Sequence, residues 1–284
     1  MKPVAFGYAK ARSLDHAVEL LERANGDARV LAGGQSLVPA LNMRLDAPKL
    51  LVDINGIAGI DGITARDGQI EIGALARHAS AMGSPVIAQQ APLIAAALPH
   101  IGHPAIRNRG TIGGSIALAD PAAELPACLL ALAGEVDLRG PEGTRSVKAD
   151  DFFHGLFETA LGPADILTAI RIPAAATQMR YGFVELARRH GDYAIAGLAA
   201  CARAYEGGLG EIRLVFFGVG ATPVRARGAE AALSEGAERL DAAVAALDQD
   251  LDPPDDVQAS GRTRKHLAGV LLRRVVRQLQ EPTP

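Results

Sequence analysis

Arg29-Val30-Leu31-Ala32-Gly33-Gly34-Gln35-Ser36-Leu37 is the stretch on which the N-terminal fold turns. The short apolar run Arg29–Ala32 predicts a strand that enters Gly33-Gly34, and the pattern over Ser36–Leu45 predicts a helix leaving it. Glycine tolerates positive φ and lets another group approach the backbone closely. Successive peptide N–H groups in such a turn form an anion-binding concavity, and the start of a helix adds a favourable dipole. Upstream, Ser13 to Asn25 predicts a helix capped by Ser13, with Leu14, Ala17, Val18 and Leu21 on one face and Asn25-Gly26 at its end. Downstream, Leu50–Ile54 predicts a second strand. Strand, turn, helix and strand in this order predict a small parallel α/β unit.

From about Gly59 the texture changes. Ile60–Thr64 and Gln69–Ile72 flank Arg66-Asp67-Gly68, a hairpin signal. Helices are predicted over His78–Gln90, Leu93–Leu98 and Glu124–Ala133. A second hairpin, Glu135–Arg139 with Arg145–Lys148, turns around Gly140-Pro141-Glu142-Gly143, and Ile166–Ile172 predicts a strand ended by Pro173. Pro173-Ala174-Ala175-Ala176-Thr177 reads as a domain boundary. It divides the chain into 1–175, with lobes of about 1–57 and 58–175, and 176–284. Beyond it lie three predicted strands, Met179–Arg189, Ala194–Glu206 and Glu211–Gly220. Helices follow at Arg227–Leu233, Ala237–Leu247 and Arg262–Leu279, with Asp252-Pro253-Pro254-Asp255 before the last. That last helix carries an apolar stripe (Leu267, Val270, Leu271, Val275) opposite Arg273, Arg274 and Arg277, which suits packing on its own domain or a subunit interface.

Composition narrows the function. Of 284 residues 49% are hydrophobic and 21% charged, values of a globular protein with a real core. A net charge of −3 supplies no basic field for nucleic acid or an anionic membrane. The apolar run Leu125–Ala133 is too short to cross a bilayer. Met1-Lys2-Pro3-Val4 lacks the apolar core of a signal peptide, so a cytoplasmic location is expected. Cys128 and Cys201 stand among apolar residues and read as buried thiols; two cysteines cannot hold an iron–sulfur cluster, which usually takes four. His100 and His103 are interrupted by Gly102 and Pro104 and have no Cys, Asp or Glu beside them, so no metal site is expected.

A second glycine pair lies in Thr111-Ile112-Gly113-Gly114-Ser115-Ile116. Either pair alone suits a plain tight turn. Together, with Ser36 and Thr111 adding hydroxyls, they suit a diphosphate held without a lysine. No G-x-G-x-x-G, G-x-x-x-x-G-K-[ST] or G-x-S-x-G elbow with a plausible triad occurs. Asp120 and Glu124 follow at i and i+4 around Pro121. Asp120 reads as a helix N-cap, or either carboxylate as an acceptor for sugar hydroxyls.

Ala32-Gly33-Gly34-Gln35-Ser36-Leu37 and Arg107-Asn108-Arg109-Gly110-Thr111-Ile112-Gly113-Gly114-Ser115 resemble the two FAD motifs of the medium subunits of molybdenum hydroxylases of the carbon monoxide dehydrogenase and xanthine dehydrogenase type. Ala119-Asp120-Pro121-Ala122-Ala123-Glu124-Leu125-Pro126, Asp151-Phe152-Phe153 and Gly191-Asp192-Tyr193-Ala194-Ile195-Ala196-Gly197 resemble later landmarks, in the same order. The resemblance implies an α+β fold: a two-lobed FAD-binding domain of the vanillyl-alcohol oxidase type, then a three-stranded antiparallel sheet with a helix bundle. It implies that Gly33, Gly34, Gln35 and Ser36 cradle the pyrophosphate, lined by Ala32 and Leu37, with Thr111, Gly114 and Ser115 closing from the other side. Ile101 would lie against the adenine, Asp120 and Glu124 near sugar or ribityl hydroxyls, and Tyr193 near the isoalloxazine ring. Ser115 stands where Asn is usual. Val184 and Glu185 occupy a stretch where some relatives carry a lysine near the flavin, and the missing cation is expected to lower the flavin's potential.

The resemblance further implies an oxidoreductase subunit that relays electrons from [2Fe-2S] clusters on a small subunit through FAD to an external acceptor. Molybdopterin would lie on a large subunit, and the whole would assemble as a dimer of heterotrimers. No catalytic residue is expected on this chain. Two other readings are a self-contained flavin oxidoreductase similar to UDP-N-acetylenolpyruvoylglucosamine reductase, and a non-enzymatic nucleotide-binding assembly protein.

Overall fold

A computed structural model describes residues 2–206 and 208–280. The first lobe comprises β1 (Gly7–Lys10), α1 (Leu14–Ala24), β2 (Ala28–Leu31), α2 (Leu37–Asn42) and β3 (Leu50–Asp53). Its sheet runs β1-β3-β2 with every pair parallel. Ser13 caps α1, its hydroxyl accepting from the His16 N–H at 3.1 Å, and Asn25 ends it at φ 45°. α1 buries Ala17, Val18 and Leu21 as its periodicity requires. β1 was not foreseen, because Gly7-Tyr8-Ala9-Lys10 is an exposed edge strand with no apolar alternation. α2 stops short of the expected Leu45: Arg44 takes φ 60°, and the Leu45 N–H turns back to Ala40 O at 2.9 Å.

The second lobe starts with β4 (Ile63–Arg66) and β5 (Gln69–Gly73), joined through Asp67 and Gly68, both at positive φ, as a tight hairpin needs. A helical layer follows: α3 (His78–Met82), α4 (Pro85–Gln90), α5 (Pro92–Ala97), α6 (Pro104–Arg107), α7 (Ile112–Leu118) and α8 (Glu124–Ala131). The helical stretch expected through His78–Gln90 is two segments, parted at Gly83, with Ser84 and Pro85 starting α4 afresh. Then come β6 (Glu135–Gly140), β7 (Gly143–Lys148), the unforeseen small hairpin β8 (Phe153–Gly155) and β9 (Glu158–Thr159), and β10 (Ile166–Pro173). The main sheet runs β4-β5-β10-β6-β7.

The C-terminal region holds β11 (Met179–Leu186), β12 (Ala196–Tyr205), β13 (Gly208–Phe217) and the two-residue β14 (Val224–Arg225). It ends in α9 (Arg227–Ser234), α10 (Leu240–Asp250) and α11 (Gly261–Gln280). The three expected antiparallel strands are present in order, and β14 extends them by a short fourth. Alternate residues of β12 face opposite cores. Leu198, Ala200 and Ala202 meet Leu271, Leu272 and Val275 of α11, while Ala199 joins Phe183, Val215 and Phe217 in the core of the second lobe. The chain therefore changes region near Pro173, but the hydrophobic core continues across. α11 packs on its own sheet, its buried stripe centred on Ala268, Leu271, Leu272, Val275 and Val276, with Leu267 and Val270 only half-buried. No helix among the described residues is long and apolar enough to cross a membrane.

Candidate functional site

A cleft of about 800 Å³ runs between the lobes, a volume suited to a large organic ligand. It is lined by Ala32, Gly33, Gly34, Gln35, Ser36 and Leu37 from the β2–α2 turn and by Thr111, Gly114 and Ser115 from the start of α7. Ile101, Asp120, Glu124 and Tyr193 complete it, so all the expected residues meet in one place.

The β2–α2 turn is built to face a ligand. Among the described residues, none of the backbone N–H groups of Gly33, Gly34, Gln35, Ser36 and Leu37 donates to a protein acceptor. Buried or half-buried amides are normally paired, so this run awaits an anionic or acceptor-rich partner. Gly34 adopts φ 73°. The Gln35 side chain folds back and donates to Gly33 O at 3.1 Å, bracing the turn. Ser36 makes no capping bond, which leaves its hydroxyl free for a ligand. α2 has only six residues, so the amides themselves matter more than any helix dipole.

The second glycine pair works differently from the turn expected of it. Gly113 and Gly114 lie inside the first turn of α7, and their amides are engaged: Gly113 N–H donates to Ala74 O at 2.9 Å and Gly114 N–H to Thr111 Oγ at 3.0 Å. Here glycine serves close approach. A Cβ on Gly113 would lie 2.5 Å from the Ala74 Cβ. Thr111 accepts as N-cap and keeps its own O–H to donate.

The two segments touch. A Cβ on Gly33 would sit 2.4 Å from Arg109 O. Asn55 and Arg77 clip them together: Asn55 Nδ2 donates to Ala32 O at 2.8 Å, Arg77 Nη2 donates to Asn55 Oδ1 at 2.6 Å, and Arg77 Nη1 donates to Arg109 O. Neither residue was singled out from the sequence, since an isolated Asn and Arg carry no local signal. His78 was also missed. It lines the cleft, is 5% exposed, and has no hydrogen-bond partner on either ring nitrogen. Burial holds its pKa down to about 4, so the ring is neutral at pH 7 and offers one donor and one acceptor. Phe157 of the β8–β9 turn and Leu167 of β10 line the cleft as well.

Asp120 does not cap a helix. α8 starts at Glu124 with Ala123 as its N-cap residue, and Asp120 Oδ1 accepts from the Ala122 N–H at 2.9 Å in a tight turn. Burial raises its pKa. Glu124 is 8% exposed, and burial, with Glu185 and Asp120 nearby, pushes its carboxyl up to about 8. Tyr193 is 56% exposed at the rim. Val184 and Glu185 separate by strand alternation. Val184 packs into the C-terminal core, so a lysine there would lie in the apolar interior, away from the cleft. Glu185 faces the other way, its Oε1 3.0 Å from His100 Nδ1. The missing-cation expectation therefore concerns position 185 alone. Cys128 and Cys201 are both buried and free.

Comparison with known proteins agrees with this geometry. Residues 4–175 match the family described as FAD binding domain in molybdopterin dehydrogenase, and residues 181–279 match the CO dehydrogenase flavoprotein C-terminal domain. The 6-hydroxypseudooxynicotine dehydrogenase complex subunit alpha of Paenarthrobacter nicotinovorans is 40% identical over 97% of this chain and 95% of its own length. The carbon monoxide dehydrogenase medium chain of Afipia carboxidovorans is 37% identical over 97% of each. The solved carbon monoxide dehydrogenase of Hydrogenophaga pseudoflava superposes with a TM-score of 0.96 at 36% identity, covering 99% of both chains. The chain belongs to the FAD-binding medium subunits of the molybdenum hydroxylase family, of the carbon monoxide dehydrogenase type.

Proposed function

We propose that this chain holds FAD in the cleft between its two glycine segments. Through it the chain relays electrons from [2Fe-2S] clusters on a small partner subunit to an external acceptor. The molybdopterin centre, where the substrate is hydroxylated, lies on a large partner subunit. The observation that carries the reading is the run of unpartnered amides from Gly33 to Leu37, braced against Arg109 and Gly110. Bound there, FAD supplies electron exchange with partners that give and take electrons.

The residues then divide the work of binding and placing it. The amides of Gly33, Gly34, Gln35 and Ser36 and the Ser36 hydroxyl take the diphosphate, and Ala32 and Leu37 shape the turn. Thr111 donates its O–H from the facing segment, with Gly114 and Ser115 beside it. Ile101 lies against the adenine. Asp120 and Glu124 meet sugar or ribityl hydroxyls, and Tyr193 shields one face of the isoalloxazine from water. No side chain here needs to act as a catalytic acid or base for the relay.

Residues 1–175 serve as the FAD-binding domain and 176–284 as its C-terminal companion. The complex is a dimer of heterotrimers in the cytoplasm. Relatives named for 6-hydroxypseudooxynicotine and for carbon monoxide match over nearly the whole chain, which fits a substrate chosen on another subunit. The test is purification of the chain with its neighbours. A flavin spectrum at one FAD per chain, with iron–sulfur and molybdenum subunits co-purifying, is expected. A chain that stays colourless in excess FAD overturns the reading.

A further inference from the structure

A cluster of ionisable side chains lies next to the cleft but outside the diphosphate cradle. Glu185 reaches into it from β11, on the face opposite Val184, and its side chain is 4% exposed. Oε1 meets His100 Nδ1 at 3.0 Å, while Oε2 is buried with no hydrogen-bond partner. His100 packs its ring on Phe183 at 5.1 Å and on His190 at 5.8 Å. Glu124 stands in the first turn of α8 and lines the cleft, near enough to Glu185 and Asp120 for their charges to raise its pKa, with Cys128 one turn further along the helix. Tyr193 faces Asp120 and Glu124 from the loop before β12. α5 also packs on β11 and has no titratable residue, and β12 pairs Gly197 with Glu185. Among the described residues no lysine or arginine pairs with Asp120, Glu124 or Glu185.

Carboxyls without a fixed cation, in a buried place, change charge with little provocation. Glu185 Oε1 and His100 Nδ1 are within hydrogen-bonding distance, and Glu185 Oε2 has no partner among the described residues. We propose that Glu185, His100 and Glu124 form a proton-holding cluster beside the flavin, which takes up a proton from solvent when electrons arrive at the flavin and returns it when they leave. This rests on the reading that FAD fills the cleft.

The charges balance. FAD held in the cleft would supply two-electron exchange, with electrons from the partner subunit's iron–sulfur clusters and its own protons from solvent. Any negative charge left on the ring raises the proton affinity of the nearby carboxyls, and the proton taken there offsets it. Only O–H and N–H bonds form on the protein, and oxidation by the acceptor reverses each. By linkage, protonation of the cluster favours the reduced flavin as much as reduction favours protonation. Burial raises both Glu124, to about 8, and Glu185, the latter against the opposing pull of His100 and His190. At Glu124, which holds its proton below about 8, uptake is then greatest at mildly alkaline pH.

The full chain loaded with FAD provides the test, with Glu185→Gln and His100→Gln beside it. Protons consumed per flavin reduced are read with a pH indicator in weak buffer, under one reductant for all three proteins. The flavin's midpoint potential is followed from about pH 6 to about pH 9, the range around the Glu124 value. The wild type is expected to consume more protons per flavin than either variant, and its potential to fall more steeply with pH. Equal proton counts and parallel slopes would overturn the proposal. If Glu185→Gln loses its flavin, His100→Gln, at a partly exposed side chain, makes the same comparison. A wild-type chain that binds no FAD overturns the cofactor reading and this one with it; normal binding with equal counts overturns this one alone.

Discussion

Gly33 has no room for a methyl group, because Arg109 O and the Gly110 Cα would lie 2.4 and 2.9 Å from its Cβ. Gly33→Ala must push the two glycine segments apart, and FAD affinity is expected to fall at least about tenfold, about 1.4 kcal/mol. Fluorescence titration checks this against Gly62→Ala, whose Cβ would meet nothing within 4 Å and which should bind normally. Glu124 gives a pH-dependent prediction. Its ordinary value is 4.5 and its folded value about 8, so the folded chain keeps a proton that the unfolded chain loses between those values. The stability this supplies is complete below pH 4.5 and lost as pH rises through 8. Without FAD, the fall in unfolding free energy from pH 6 to pH 9 should exceed that of Glu124→Gln by on the order of 2 kcal/mol. Urea titrations with equal falls in both proteins would refute it. The glycines were legible in the sequence because what they contribute is a backbone property that only glycine has. Asn55, Arg77 and His78 were not, because each acts through contacts made 20 or more residues away. Of the two readings open for Asp120 the helix cap falls away, because an aspartate before proline suits a tight turn as well as a helix start.

At the scale of elements, the long-period signals carried well. α1, the hairpins and the three long C-terminal strands were all foreseen, since each buries one face or alternates cleanly. Edge and short elements were not: β1, the β8–β9 hairpin and β14 depend on neighbours that become adjacent only on folding. α11 shows what such neighbours do. Arg264 is 4% exposed, and its Nη1 donates to Ile195 O at 2.5 Å and Gly218 O at 2.6 Å while Nη2 meets Asp256 at 2.7 Å. The helix thereby pins the end of the segment that carries Tyr193. Arg264→Met leaves two carbonyls bare and is expected to cost about 2–4 kcal/mol, read as a lower urea midpoint with an unchanged slope. Proteolysis within residues 187–195 should quicken in step. A stable variant with an unaltered digestion pattern would show that this anchor is dispensable.

Across the whole molecule, the boundary near Pro173 separates stretches of chain, yet the largest hydrophobic core runs across it. Phe183, Ala199, Val215 and Phe217 from the C-terminal sheet complete the core formed by α5, α8 and β10. Polar contacts cross the same seam: Arg213 donates to Leu130 O at 2.7 Å and to Asp150 at 2.8 Å, and the Cys201 thiol to Ala131 O at 3.1 Å. A fragment ending at residue 175 would expose that apolar underside of α8, so it is expected to aggregate and to bind no FAD, although it contains both glycine segments. The intact chain should unfold in a single transition, because the core of the second lobe is completed by Phe183, Ala199, Val215 and Phe217 of the C-terminal sheet. Saturating FAD should raise its unfolding free energy by about 2.7 kcal/mol at a hundredfold excess over Kd, since the cleft exists only while the lobes stay docked. Calorimetry with and without FAD checks both expectations. Two resolved transitions, of which FAD shifts only the first, would mean that residues 1–175 fold alone and that the shared interior is an interface between independent domains.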